Sequence, residues 1–255
     1  MIHRHRVIIR LVILVVFLAL WEAVFQLGVV SPIIFGAPSL VVGAAISDGA
    51  TFLTAFRITI FEIASAVAIA WTVGIVYGVI AGSIPVLGRI SLPVLSSLIA
   101  VPLVVLYPIF MAWLGLGPAS KIVFAVVSGV FPIASGTIVG VRGVNRGYAT
   151  MAEAMGASRL QIMFRVMAPL ALPAIMSGLR LGTALIVIAV VLSEMLGSVD
   201  GIGFWISYHR SLFNTGQVYL GILMALMVAW IANRLLSSVE RIYGRRSISP
   251  PRRAA

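Results

Sequence analysis

Long apolar runs alternate along this chain with short breaks that carry glycine, proline or charge. The runs cover about residues 7–30, 58–83, 94–114, 121–141, 174–197 and 217–237. Each approaches or exceeds the roughly 20 apolar residues that a helix needs to cross a hydrocarbon core. Barrel strands would be about half that length and would alternate polar with apolar positions. The pattern predicts an all-α, polytopic membrane protein: one transmembrane domain over residues 1–255 with about six spanning helices. The first run exceeds the apolar core of a signal peptide, about 7–15 residues, and is read as a retained span.

The breaks have their own grammar. Ser31 to Asp48 holds Pro32, Pro38 and several glycines, a loop with room for a surface helix after Pro38. Gly115-Leu116-Gly117-Pro118 is a tight turn. The longest polar-leaning interval, Asn145 to Pro173, is patterned as two short helices. Thr150 with Glu153, and Ser158 with Gln161, have the spacing of capping boxes. Gly156 between them is suited to a left-handed helix end. Leu160, Met163, Phe164 and Met167 then share a face, and Pro169 is expected to stop that helix. A pair of short helices jointed at a glycine, set between spans, predicts a docking element over residues 145–173.

Within the spans, Gly74, Gly78 and Gly82 recur every fourth residue and mark a face for close helix packing. Pro102 and Pro108 interrupt the third span, where freed carbonyls either line a pathway or simply accompany a kink. Ser193 and Glu194 lie at the end of the fifth span. A carboxylate there must face protein or water, so Glu194 serves either a pathway or gate, or an internal hydrogen-bond network. Arg57, Glu62 and Arg180 stand at span ends, where snorkelling or pairing is the ordinary role.

Composition agrees with the pattern. Hydrophobic residues make up 61% and charged residues 10%, against roughly 45–50% and about 25% in soluble domains; mean hydropathy is +1.15. The net charge of +11 comes mostly from arginines at the N-terminus, residue 89, the 145–173 interval and the C-terminal tail. By the positive-inside rule these segments and both termini are cytoplasmic. Membrane lipid, not nucleic acid, is the partner that this charge implies, and the basic tail over 244–255 is expected to be disordered. There is no cysteine, and His3, His5 and His209 are far apart in sequence, so neither thiol chemistry nor a metal site is expected. No Gly-x-x-x-x-Gly-Lys-Ser/Thr loop occurs and the seven acidic residues are scattered. No catalytic residue and no cofactor bound by this chain are predicted.

Taken together, these patches resemble the permease subunits of bacterial ABC importers, in the branch that handles nitrate, sulfonates, taurine and related small molecules. That family's signature runs Glu-Ala-Ala, three residues, Gly, nine residues, then an Ile-x-Leu-Pro-like end. Here the first three places are Thr150, Met151 and Ala152, the glycine is Gly156, and the end is Val166-Met167-Ala168-Pro169. Asn145 stands where the family often has a capping Asp. Thr150 replaces the usual Glu, with the acidic residue displaced to Glu153. Gly115 to Lys121, Gly178-Leu179-Arg180, Ser193 to Gly197 and Gly201-Ile202-Gly203 also match. The third span departs: Ala100, Leu103 and Leu106 replace common Pro, Pro and Trp, while Pro102, Pro108 and Trp113 are in place.

The resemblance covers about Phe35 to Tyr243 and implies a type I importer permease-like fold in the bacterial inner membrane. It implies a non-catalytic subunit, with ATP and Mg used by a separate cytoplasmic ABC ATPase in two copies. Thr150, Ala152, Glu153, Gly156, Ala157, Ser158 and Arg159 would couple to that ATPase. A second permease copy in a homodimer and a periplasmic substrate-binding protein are the other partners implied, with a small solute such as nitrate, a sulfonate or taurine as cargo. The alternative is a self-contained secondary transporter, which would need paired broken helices in internal repeats; no convincing repeat is visible.

Overall fold

Apolar periodicity of this kind leaves the backbone one way to satisfy its own hydrogen bonds, and the described chain takes it. The computed structural model describes residues 2–244, which are helical between short connections, with no strand among the described residues. Among the described residues, five helical stretches are long and apolar enough to cross a membrane: Ile8–Gln26, Gly49–Ser83, Pro118–Gly143, Arg159–Leu196 and Thr215–Ser238. A sixth crossing is made by Pro85–Ala100 and Leu103–Leu114 if that pair, bent by 80°, is one broken span. The tail from Arg245 onward, where disorder is expected from sequence, lies outside the described residues.

The chain forms two compact units. The first comprises the residues up to Thr59 with Glu194–Met227. It contains α1 (Ile2–Gln26), α2 (Pro38–Ser47), the start of α3 (Gly49–Ser83), α10 (Ile202–Ser211) and the start of α11 (Thr215–Gly244). Pro38 opens α2 in the first turn, where its missing N–H costs nothing. The Glu22 carboxylate of α1 accepts from Ser39 N at 3.1 Å and Ser39 Oγ at 2.8 Å, satisfying donors of that same turn. Trp21 Nε1 donates to Gly36 O at 2.7 Å, and the Tyr219 ring rests on Gly36 where a Cβ would collide. Val41, Ala44, Phe52, Trp205 and Leu220 form the core of this unit, with Phe52 and Trp205 edge-on at 5.3 Å.

The second unit holds Ile60–Ser193 and the described chain from Val228 to Gly244. Its helices include the rest of α3, α4 (Pro85–Ala100), α5 (Tyr107–Leu114), α6 (Pro118–Gly143), α7 (Arg146–Ala154), α8 (Arg159–Ile162) and the start of α9 (Ala168–Leu196), which runs on into the first unit. Gly74, Gly78 and Gly82 of α3 face Ile133, Thr137 and Val141 of α6, also spaced by four. A Cβ at Gly74 would lie 2.6 Å from Ile133 Cγ2, and one at Gly82 2.8 Å from Val141 Cβ. Branched side chains of one helix thus fill the notches of the other, which holds the two backbones close. The break in the third crossing falls at Val101-Pro102, followed by a 3-10 turn over Leu103–Leu106. Pro108, expected as a second candidate kink, instead sits in the first turn of α5, where proline is tolerated.

Candidate functional site

The interval singled out as a docking element forms α7 and α8, joined at Gly156. Its caps are partly those read from sequence. Ser158 Oγ accepts from Gln161 N at 3.3 Å, and Gln161 Oε1 accepts from Ser158 N at 2.9 Å, a reciprocal box. The Thr150–Glu153 box is not formed. α7 starts earlier, at Asn145, whose Oδ1 accepts from Gly147 N at 2.8 Å. Thr150 is therefore inside the helix and its hydroxyl turns back to Arg146 O at 3.3 Å. Asn145 wins because it precedes the first turn, where orphan donors lie. At the other end Gly156, with φ of 82°, closes the helix through Gly156 N to Glu153 O and Ala157 N to Ala152 O, at 2.9 and 3.0 Å.

Pro169 does not stop the second helix. A π turn over Met163–Met167 passes directly into α9, and both Pro169 and Pro173 lie within α9. Pro169 follows directly on the π turn, whose i→i+5 bonding changes the phase of the helix just before it. Leu160 is exposed and Met163 half-buried.

Of the small residues of this element, Ala149, Ala152 and Ala157 are half-buried and Ala154 is exposed. Large apolar side chains point outward: Tyr148, Met151 and Met155 are 53%, 66% and 86% exposed. Thr150, Glu153, Gly156, Ser158 and Arg159 are exposed as well. Sequence reasoning passed over Tyr148 and Met155, although their i, i+3, i+7 relation to Met151 is a readable helical stripe.

In the same unit, the broken crossing borders a cavity of about 130 Å³ lined by Ile99, Leu103, Phe124, Ser128, Leu185 and Leu192 among others. A neighbouring notch of about 320 Å³ is floored by Gly136 and Gly178 and edged by Ser135 and Ser177. Non-helical backbone at membrane depth is tolerated where it lines such space or is covered by protein. Pro102 and Pro108 are both exposed. Also here, Lys121 of α6 and Glu62 of α3 form an ion pair at 2.5 Å, with side chains 2% and 0% exposed. Sequence placed both near span ends without pairing them.

Glu194 belongs to the first unit and is 1% exposed. Its Oε1 accepts from Thr59 Oγ1 at 2.7 Å, and its Oε2 from Gly203 N at 2.7 Å. The Thr59 hydroxyl in turn accepts from Ile202 N at 2.8 Å. Between them, the carboxylate and hydroxyl satisfy the first donors of α10, whose own N-cap residue, Gly201, has no side chain. Gly201 has φ of 105°, and a Cβ there would land on the Glu194 carboxylate. These contacts make Glu194 part of an internal hydrogen-bond network. Ser193 is fully buried and donates to Val190 O at 2.8 Å. Thr59 carried no sequence signal of its own.

A last titratable cluster lies in the same unit. Asp48 Oδ2 accepts from Gln217 Nε2 at 3.2 Å and Ser47 Oγ at 2.9 Å. The Gln217 amide first, then Ser47 and the positive His209, hold its carboxyl below the usual range. Burial against Trp205, whose ring centroid is 4.3 Å away, goes with a His209 pKa below its ordinary value, partly offset by Asp48. Among the described residues no group of His, Cys, Asp and Glu is arranged to hold a metal ion.

Comparison with known proteins places this geometry. A family model for the binding-protein-dependent transport system inner membrane component matches residues 74–249. The putative aliphatic sulfonates transport permease protein of Bacillus subtilis (strain 168) is 28% identical over 229 residues, 89% of this chain and 83% of that protein. The taurine transport system permease protein of Escherichia coli (strain K12) is 27% identical over 235 residues, covering 89% and 86%. The nitrate import permease protein of Synechocystis sp. (PCC 6803) is 32% identical over 165 residues, covering 63% and 60%. Among solved structures, a chain of the MetNI methionine ABC transporter in an inward-facing conformation superposes with a TM-score of 0.61 at 17% identity, over 73% of this chain and 93% of that one. That likeness speaks for the fold alone.

Proposed function

Because this chain belongs to the family of binding-protein-dependent transport inner membrane components, and is a membrane-spanning permease subunit of an ABC importer, we propose the division of labour that follows. Two copies enclose a pathway for a small anionic or zwitterionic solute of the sulfonate, taurine or nitrate class, delivered by a periplasmic binding protein. ATP and Mg are used by two copies of a separate cytoplasmic ATPase, and this chain supplies no catalytic group. The α7–α8 element faces the cytoplasm with both termini and transmits movement from that ATPase. The observation that carries this reading is the element itself: two short capped helices with exposed side chains, leading through a π turn into α9. Thr150, Ala152, Glu153, Gly156, Ala157, Ser158 and Arg159 all lie on it. The pathway runs along the broken crossing at Pro102 and the adjoining cavity. Pro108 follows the break, whereas Ser193 and Glu194 support the walls.

The test is uptake of labelled taurine, an alkanesulfonate or nitrate by a deletion strain complemented with the chain. Uptake that requires ATP, and that Gly156→Trp abolishes while the protein still inserts, supports the proposal. Uptake driven by an ion gradient without ATP would replace it with a secondary transporter. Since the chain has no cysteine, a single Pro102→Cys thiol gives a clean second readout. Its protection from a hydrophilic thiol reagent should change when ATP is trapped on the ATPase.

A further inference from the structure

Hydroxyl groups inside a spanning helix commonly return to their own backbone. Here Thr72 Oγ1 donates to Ala68 O at 2.8 Å, Ser128 Oγ to Phe124 O at 2.9 Å and Thr137 Oγ1 to Ile133 O at 2.7 Å. Ser135 of α6 and Ser177 of α9 do otherwise. Among the described residues neither hydroxyl has a hydrogen-bond partner, although both lie about two turns or more from either end of their helices. Ser135 is half-buried and Ser177 exposed. Each directly precedes a glycine, Gly136 or Gly178, at which the two helices meet backbone to backbone: a Cβ at Gly136 would lie 2.8 Å from Gly178 Cα. Beside that contact the two serines edge the notch of about 320 Å³. Ile99 borders both this notch and the cavity at the broken crossing, so the two spaces adjoin at the end of α4.

We propose that Ser135 and Ser177 donate hydrogen bonds to the oxyanion of the solute as it moves through this notch. This rests on the reading of the chain as an importer permease for a small anion or zwitterion. Sulfonate and nitrate groups present oxygens that only accept, and a serine hydroxyl has one proton to give. Among the described residues no charged side chain lines the notch. A carboxylate would repel the anion and a cation would retain it. Neutral donors instead bind firmly enough for entry and weakly enough for release, which conduction requires. A lipid-facing role is disfavoured, because hydrocarbon offers a hydroxyl no partner and leaves it unpaired at a cost. The glycine contact holds the two donor-bearing backbones close, so both hydroxyls border one space.

The experiment uses the full chain with its partner ATPase and binding protein in membrane vesicles. Since the chain has no cysteine, Ser135→Cys and Ser177→Cys each place a single thiol at the notch. Ethanesulfonate should slow the reaction of either thiol with a hydrophilic methanethiosulfonate several-fold, and ethylammonium, of similar size and opposite charge, should not. Ser135→Ala with Ser177→Ala should lower uptake of the transported oxyanion about tenfold. Ser135→Thr with Ser177→Thr keeps both hydroxyls and should retain most of it. ATP hydrolysis should persist in the alanine variant, which separates a lost solute contact from lost assembly. If wild-type uptake of taurine, an alkanesulfonate and nitrate never depends on ATP, the underlying functional reading fails, whatever the thiols show. If that uptake does depend on ATP, absence of either the protection or the alanine effect refutes the hydroxyl site and leaves the functional reading standing. Thiols that never react with the hydrophilic reagent would place the notch in lipid or against a second copy, and would overturn the proposal.

Discussion

The helix starts at Arg159 and at Ile202 face the same problem, unpaired N–H groups, and meet it with different partners. At Arg159 the cap is local and exposed: Ser158 and Gln161 satisfy each other within three residues. At Ile202 the cap is remote and buried: Thr59 is 143 residues away in sequence and Glu194 comes from the preceding span. A local cap adds a modest increment to one helix end. A remote, buried cap ties that helix to two others, and its loss strands polar groups out of reach of water. The first arrangement holds a helix end that faces outward; the second locks a helix end into the interior of its unit.

The largest effect is expected where burial is most complete. Lys121→Met removes the ammonium paired with the Glu62 carboxylate, and removing one partner of a buried pair costs about 3–5 kcal/mol. Thermal scanning of the detergent-solubilised protein should show a large fall in its midpoint, and Lys121→Met with Glu62→Leu should recover most of it. No recovery in the double variant would mean that the pair's other interactions dominate.

Two glycines at positive φ then separate backbone strain from crowding. Gly201→Ala places a Cβ on the Glu194 carboxylate in a glycine-only conformation and should cost about 3 kcal/mol. Gly156→Ala meets nothing within 4 Å and should cost only the left-handed penalty, about 1–2 kcal/mol. Equal midpoint shifts for the two would break the distinction between the buried and the exposed helix ends. On the exposed side, Ser158→Ala should cost about 1 kcal/mol. It should appear as faster hydrogen exchange at Arg159–Gln161 with little change in the global midpoint.

That same contrast governs how much could be read from the chain. Spans were legible because each carries its own apolar period, and the Ser158–Gln161 box because its partners are neighbours. The Gly74–Gly78–Gly82 face announced a close approach, though not that Ile133, Thr137 and Val141 would fill it. Thr150–Glu153 misled because the box spacing recurs within a helix whose true cap, Asn145, lies five residues before Thr150 and acts without a reciprocal partner. Pro169 misled because a proline need not end a helix, and here a π turn directly before it carries the helix on into α9. Thr59, and the pairing of Glu62 with Lys121, were illegible in principle: nothing local distinguishes a threonine that caps a distant helix from one that faces its own backbone.

The smallest predicted effect belongs to the titratable corner of the buried region. His209 has a folded pKa below its ordinary value, chiefly through burial, so the unfolded chain takes up the proton at a higher pH than the folded one. Stability from this source is complete above the ordinary histidine pKa and declines as pH falls from there toward the folded value. Asp48 acts in the same direction at lower pH: its depressed carboxyl stabilises the fold above the ordinary carboxylate pKa, and that contribution is lost on protonation. The thermal midpoint should therefore drop modestly between about pH 7 and about pH 5.5, and His209→Gln should flatten that portion of the profile. Hydrogen exchange at Arg159–Gln161, corrected for intrinsic rates, should not change over this interval, because the interval from Asn145 to Pro173 contains no histidine. A midpoint that keeps its full pH slope in His209→Gln would move the titration elsewhere in the chain.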